Sequence, residues 1–234
     1  MNALPGGPVA TRPLHFIWIL DTSSSMYGSK IQSLNFAIKE AIKPMQQTAA
    51  DNPNAQVLVR AVTFSTGARW HLTTPTPVAN FQWTDVTASG VTDMGKALKL
   101  VAEQLKIPPM SDRALPPVLV LISDGQPTDD FGTGLKELMA QPWAKRAVRL
   151  AIAVGADADK GVLSKFIGHS ELKPLEANNS AALVDYIRWA STAVLKGASS
   201  PASQAVGAGV MTGNVPVPPP PPPPPPPSAN SPVW

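Results

Sequence analysis

The sequence predicts a doubly wound α/β domain with a six-stranded, mostly parallel sheet, five strands parallel and one antiparallel strand at an edge. Three observations carry this reading. Short apolar runs without polar alternation, such as Phe16–Leu20 and Val118–Ile122, read as strands buried on both faces. Helical periods separate them. Strand and helix signals then alternate along the chain, which favours parallel strands joined by crossover helices.

Taken in order, Phe16–Leu20 is the first strand. The first helix follows, with Ile31, Leu34, Ile38, Ile42 and Met45 on one face. Pro44 lies inside that period and predicts a kink. Val57–Phe64 is the second strand. Ala68–Leu72, just across Thr66-Gly67, predicts the antiparallel edge hairpin. Met94, Leu98, Val101 and Leu105 define a helix over 93–106. Val118–Ile122, a weaker helix over 133–144, strand Val148–Val154 and a last amphipathic helix over about 179–196 complete the pattern. There is no internal repeat.

Composition sets the outer limits. The chain has 234 residues, 27 prolines, 16 glycines, no cysteine and a net charge of +3. The absence of cysteine excludes disulfides, thiolate metal sites and cysteine nucleophiles. No dense Lys/Arg run marks a nucleic-acid partner. No apolar stretch approaches the roughly 20 residues of a membrane span. A cytoplasmic location, with no membrane or nucleic-acid partner, is therefore expected. Charge vanishes after Lys196, and ten consecutive prolines occupy 218–227. The expected organisation is an N-terminal arm at 1–12, a globular domain at 13–196, and a disordered Ala/Gly/Ser/Pro tail at 197–234.

Ligands of open parallel sheets bind beyond the carboxyl ends of the strands. Three polar loops are expected there. Asp21, Ser23 and Ser25 follow the first strand, Asp124 follows Val118–Ile122, and Thr92 opens the helix over 93–106. Two carboxylates and three hydroxyls are all hard oxygen donors, suited to Mg²⁺ or Mn²⁺, with Ca²⁺ also possible. Alternate residues of an extended loop face one side, so Asp21, Ser23 and Ser25 can address one ion.

These residues carry a family resemblance. Asp21-Thr-Ser23-Ser-Ser25-Met resembles the D-x-S-x-S motif of von Willebrand factor A (vWA) domains. Thr92-Asp-Met-Gly and Ile-Ser-Asp124-Gly resemble that family's second and third loops. The resemblance covers about residues 12–196. It implies a metal-ion-dependent adhesion site (MIDAS) at which an acidic residue of a partner protein completes the metal shell. The Ser123–Asp129 stretch and Phe64-Ser65 are similar to the bacterial branch of the tellurite-resistance protein TerY. That likeness implies association with a Ser/Thr kinase and a PP2C-type phosphatase. One departure is that the family's Gly-Gly-Thr reads Gly90-Val91-Thr92 here, a stiffer loop.

The second reading is a metal-dependent phosphohydrolase or phosphotransferase with Asp21 as nucleophile. Such a site would want another aspartate where Ser23 stands. No Gly-x-Ser-x-Gly elbow, P-loop or Gly-x-Gly-x-x-Gly is present, and His15, His71 and His169 lack metal-ligand spacing. Asp129 and Asp130 read as a solvated turn or as a negative rim that tunes the site or reads a basic partner, as do Asp85 and Asp93, and Asp93 also suits a helix start. Trp18 and Trp189 read as core, while Trp70, Trp83 and Trp143 stay open. The proline run reads equally as a spacer or as a ligand for an SH3-, WW- or profilin-like groove. Trp234 reads as a docking tip or a frayed end.

Overall fold

The apolar run expected to be buried on both faces becomes strand β1, Arg12–Asp21, the centre of the sheet. The computed structural model describes residues 11–52, 54–200, 209–222 and 234. Helix α1 (Ser29–Ala50) leads to β2 (Ala55–Ser65) and β3 (Gly67–Trp70). Next come β4 (Thr76–Pro77), α2 (Met94–Gln104), β5 (Val118–Ser123), α3 (Phe131–Ala140) and β6 (Val148–Val154). Then follow α4 (Lys160–Ile167), β7 (Leu175–Ala177), α5 (Ser180–Trp189), a single π-helical stretch at 190–194, and α6 (Leu195–Ser199). A hairpin of β8 (Val210–Thr212) and β9 (Val215–Val217) ends the order.

The main sheet runs β3-β2-β1-β5-β6-β7, with only β3 antiparallel on this six-strand path. The expected topology holds. The two-residue β4 adds a second antiparallel pair on β2, making seven strands. The sixth strand of the path, β7, and helix α4 were not read from the sequence, because three and eight residues carry too little periodicity.

Alternate residues of β1 face opposite layers. Phe16, Trp18 and Leu20 join the layer under α1 and α5, and Ile17 and Ile19 join the layer under α2, α3 and α4. Trp83 and Trp143, open in the sequence, are buried, as are Trp18 and Trp189. Trp70 is half-buried beneath the Arg60 guanidinium, 3.5 Å from its ring centroid.

Pro44 does not end α1, which continues to Ala50. The amide it removes would have bonded the carbonyl of Glu40, on the exposed side of the helix, where water can serve instead.

The tail requires a correction. Leu195, Ala198 and Ser199 are buried, so the domain continues past 196. Val215 and Val217 of the β8–β9 hairpin pack into the layer beneath α1 and α5. A disordered arm therefore does not describe 197–200 or 209–222. The alternation Val215-Pro-Val217 is a strand signal that uncharged composition obscured. The rest of the tail, and residues 1–10 of the N-terminal arm, lie outside the described residues.

His15 gives a pH prediction. It is 4 % exposed, and its Nδ1 has no hydrogen-bond partner among the described residues. Burial, with Arg60 nearby, lowers its pKa to about 4. The unfolded chain therefore binds the His15 proton at higher pH than the folded chain. Stability falls as pH drops from about 6.5 towards 4, by up to about 3 kcal/mol from this group. Urea unfolding across that range should show the slope, and His15→Leu should flatten it. An equal slope in both chains would assign it elsewhere.

Candidate metal centre

Strands β1 and β5 run side by side, with Leu20 opposite Ile122. One residue further on, Asp21 and Ser123 face the same layer. Both are fully buried, and Ser123 Oγ donates to Asp21 Oδ2 at 2.6 Å. The other carboxylate oxygen, Oδ1, accepts from the Ser23 amide at 2.8 Å. Asp21 is thus locked in one orientation at the top of the central strand.

Burial raises the Asp21 pKa to about 6; the bonds from Ser123 and Ser23 oppose the shift, and the charge of Asp124 adds to it. A buried carboxylate of this kind is short of positive charge.

The loop after β1 turns back on itself, so that Ser23 Oγ lies 2.9 Å from Ser25 Oγ. Ser23 is buried and Ser25 exposed, giving one hydroxyl below and one at the surface. Asp124, 2 % exposed, sits just past β5, and its carbonyl accepts from the Asp159 amide at 2.6 Å.

Thr92 reaches the same edge through backbone pairing. The Ser24 amide donates to the Gly90 carbonyl at 3.0 Å, and the Ser89 amide donates to the Thr22 carbonyl at 2.8 Å. On the other side, the Thr92 amide donates to Thr128 Oγ1 at 3.0 Å and the Thr128 amide donates to the Thr92 carbonyl at 2.9 Å. The threonine loop is therefore bonded to both other loops. Gly90 has φ +77°, and a Cβ there would collide with Thr66. Glycine is required at 90, while Val91, 46 % exposed, points its bulk outward.

All five expected site residues thus converge on loops at one sheet edge. Among the described residues no group of three His, Cys, Asp or Glu side chains forms a metal cluster. The donors at this edge are hydroxyls supplemented by two carboxylates, a set that fits a hard divalent cation. Asp21 has both oxygens engaged, which suits it to an outer role through water. Ser23, Ser25 and Thr92 present neutral oxygens.

Several contributors escaped sequence reasoning. Ser123 orients Asp21, and its only signal was a hydroxyl ending an apolar strand. Thr128 staples the threonine loop. Asp129, read as a solvated turn, instead accepts from the Gly95 and Lys96 amides, both at 2.8 Å, and so caps α2 from another loop. Asp130 caps α3 through Thr133, at 2.9 Å to its amide. Asp93 accepts from the Gly67 amide at 2.7 Å, tying the threonine loop to β3, and pairs with Lys96. Asp85 pairs with Lys39 at 2.6 Å.

Trp234 also lies at this edge. Its Nε1 donates to Ser29 Oγ at 2.8 Å, its amide donates to the Asn178 carbonyl at 3.1 Å, and its carbonyl accepts from Ala156. Trp234 therefore packs back on its own domain rather than standing as a frayed end.

A twisted parallel sheet between helices, with a hydroxyl–carboxylate edge built from three loops, defines a Rossmann-like α/β domain. The chain belongs to the von Willebrand factor type A domain family, whose profile matches residues 17–185. Curated proteins give no sequence match. Solved structures with the same fold include a von Willebrand factor type A protein from Catenulispora acidiphila, 18 % identical, covering 80 % of this chain and 43 % of that one, TM-score 0.59. The ArnB paralog VWA2 from Sulfolobus acidocaldarius is 17 % identical over 77 % of this chain and 45 % of that one, TM-score 0.56. Proximal thread matrix protein 1 from the mussel byssus, with a zinc-occupied MIDAS motif, is 17 % identical over 78 % and 48 %, TM-score 0.58. The chain spans less than half the length of each of these three proteins. Among the described residues, no helix is long and apolar enough to cross a membrane.

Proposed function

We propose that this chain is a protein-binding adaptor whose MIDAS-type site holds a divalent metal through Asp21, Ser23, Ser25, Thr92 and Asp124. The observation that carries the reading is the stapling of three loops by the Ser24–Gly90, Ser89–Thr22 and Thr92–Thr128 hydrogen bonds. That bonding brings the loops that carry three hydroxyls and two carboxylates to one sheet edge. A cation with so few anionic ligands remains electrophilic, and an Asp or Glu of a partner protein supplies the missing charge. Mg²⁺ or Mn²⁺ suits the donors, and zinc at the MIDAS motif of the mussel protein supports a metal at this edge.

The surroundings favour a macromolecular ligand. Tyr27 is 79 % exposed, two residues beyond Ser25, and Val91 adjoins Thr92. Exposed apolar groups beside a polar site resemble the centre of an interface. The phosphohydrolase reading is weaker, because Asp21 has no exposed surface and both its oxygens already accept hydrogen bonds. A cytoplasmic, TerY-like place beside a Ser/Thr kinase and a PP2C-type phosphatase, in a stress or defence module, is the finer proposal. It rests on the Ser123–Asp129 stretch.

The test is co-purification with the full chain in Mg²⁺ and in EDTA, alongside Asp124→Ala. A partner should be lost in EDTA and with the variant, and a kinase or phosphatase among the partners would support the finer reading. Partners retained under all three conditions would refute the metal-bridged mechanism.

A further inference from the structure

Trp189 closes α5 with its ring almost wholly covered, and its Nε1 donates to the Pro219 carbonyl at 3.1 Å. Pro219 belongs to the proline run, which begins directly after β9. Pro218–Pro220 line a cleft of about 440 Å³ together with Leu150, Leu172, Leu175 and Trp189.

This combination has a chemical meaning. A proline-rich segment has fixed φ, few amide donors and outward carbonyls, so it lacks internal hydrogen bonds and arrives already stiff. Recognition then needs an apolar surface for the rings and a donor for a carbonyl. An indole provides both, and a buried indole N–H without a partner is costly. Here the donor, the apolar wall and the proline segment are found on one chain.

We propose that the Trp189 cleft is a binding site for proline-rich peptide, occupied by the chain's own Pro218–Pro220. The chain is both reader and ligand. The first prolines of the run are engaged internally, so an outside proline-reading domain must compete with Trp189 or take the later residues. The same cleft accepts a foreign proline-rich segment when its own is displaced.

Indole NMR of the ¹⁵N-labelled full chain tests this, with the Trp189 cross-peak assigned by Trp189→Phe. In the unmodified chain the Trp189 indole proton should exchange slowly, and free decaproline should leave its cross-peak in place because Pro219 already takes the Trp189 donor. A triple variant, Pro218→Gly with Pro219→Gly and Pro220→Gly, keeps every carbonyl but removes the stiffness. In it the indole proton should exchange about tenfold faster, the equivalent of a typical net hydrogen bond. Decaproline should then shift the cross-peak saturably, and a Gly-Ser peptide of equal length should not. Fast exchange in the unmodified chain would overturn the proposal. So would a variant cross-peak that ignores decaproline or answers the Gly-Ser peptide equally.

Discussion

Asp21→Asn is expected to stabilise the metal-free chain at pH 7 and to abolish its stabilisation by Mg²⁺. Burial raises the Asp21 pKa to about 6, against 3.8 for a free side chain. A raised carboxylate pKa means that the folded chain holds the proton more tightly than the unfolded one. That contribution is fully present below about pH 4 and is lost as pH rises through about 6. At pH 7 the metal-free protein therefore carries a buried negative charge costing about 3 kcal/mol. Asparagine removes the charge while keeping the shape. Its amide faces Ser123 Oγ, which already accepts from the Gly125 amide, and that mismatch returns part of the gain. A net gain of about 2 kcal/mol is expected. His15 drives stability the opposite way with pH, but it is common to both chains and cancels in their difference. Urea titrations of both proteins in EDTA at pH 5 and pH 7 measure the effect. A variant less stable than the parent at pH 7, or one that Mg²⁺ stabilises equally, would contradict the account.

The second large effect concerns the packing beneath the threonine loop. Helices α2 and α3 cross at Gly95 and Gly134. A Cβ on Gly134 would lie within 3 Å of the Gly95 carbonyl oxygen, Cα and carbonyl carbon. These are backbone atoms at the start of α2, so they cannot swing aside as a side chain does. Gly134→Val should cost about 3 kcal/mol through overpacking. Relief requires α2 and α3 to separate, which strains the Asp129 bonds to Gly95 and Lys96 and shifts Thr92, two residues before α2 begins. Mg²⁺ affinity should therefore fall together with stability. Chemical denaturation and metal titration read the two separately. A stability loss below about 0.5 kcal/mol would place the change among ordinary surface substitutions, and the crossing would not be as tight as described.

Much of this was legible in the sequence because the signals were local. Phe16–Leu20 had to be a buried strand, since no polar residue interrupts it. Asp21, Ser23 and Ser25 announced themselves by spacing within five residues, and Thr92 and Asp124 by their places after recognisable elements. Short edge elements such as β7 and α4 were not legible, because their stability comes from docking on β6 and not from their own pattern.

The sequence alone determined the fold class, the longer strands and helices in their order, and the five oxygen-bearing residues at one sheet edge, since each is written in contiguous residues. Tertiary structure alone decided how they are held. Ser123 meets Asp21 across 102 positions, Asp129 caps a helix that starts 35 residues before it, and Trp189 reaches Pro219 across 30. Such contacts depend on which surfaces the folded chain brings together. A serine, an aspartate and a tryptophan carry no mark of a distant partner until the sheet and its helices have placed them side by side.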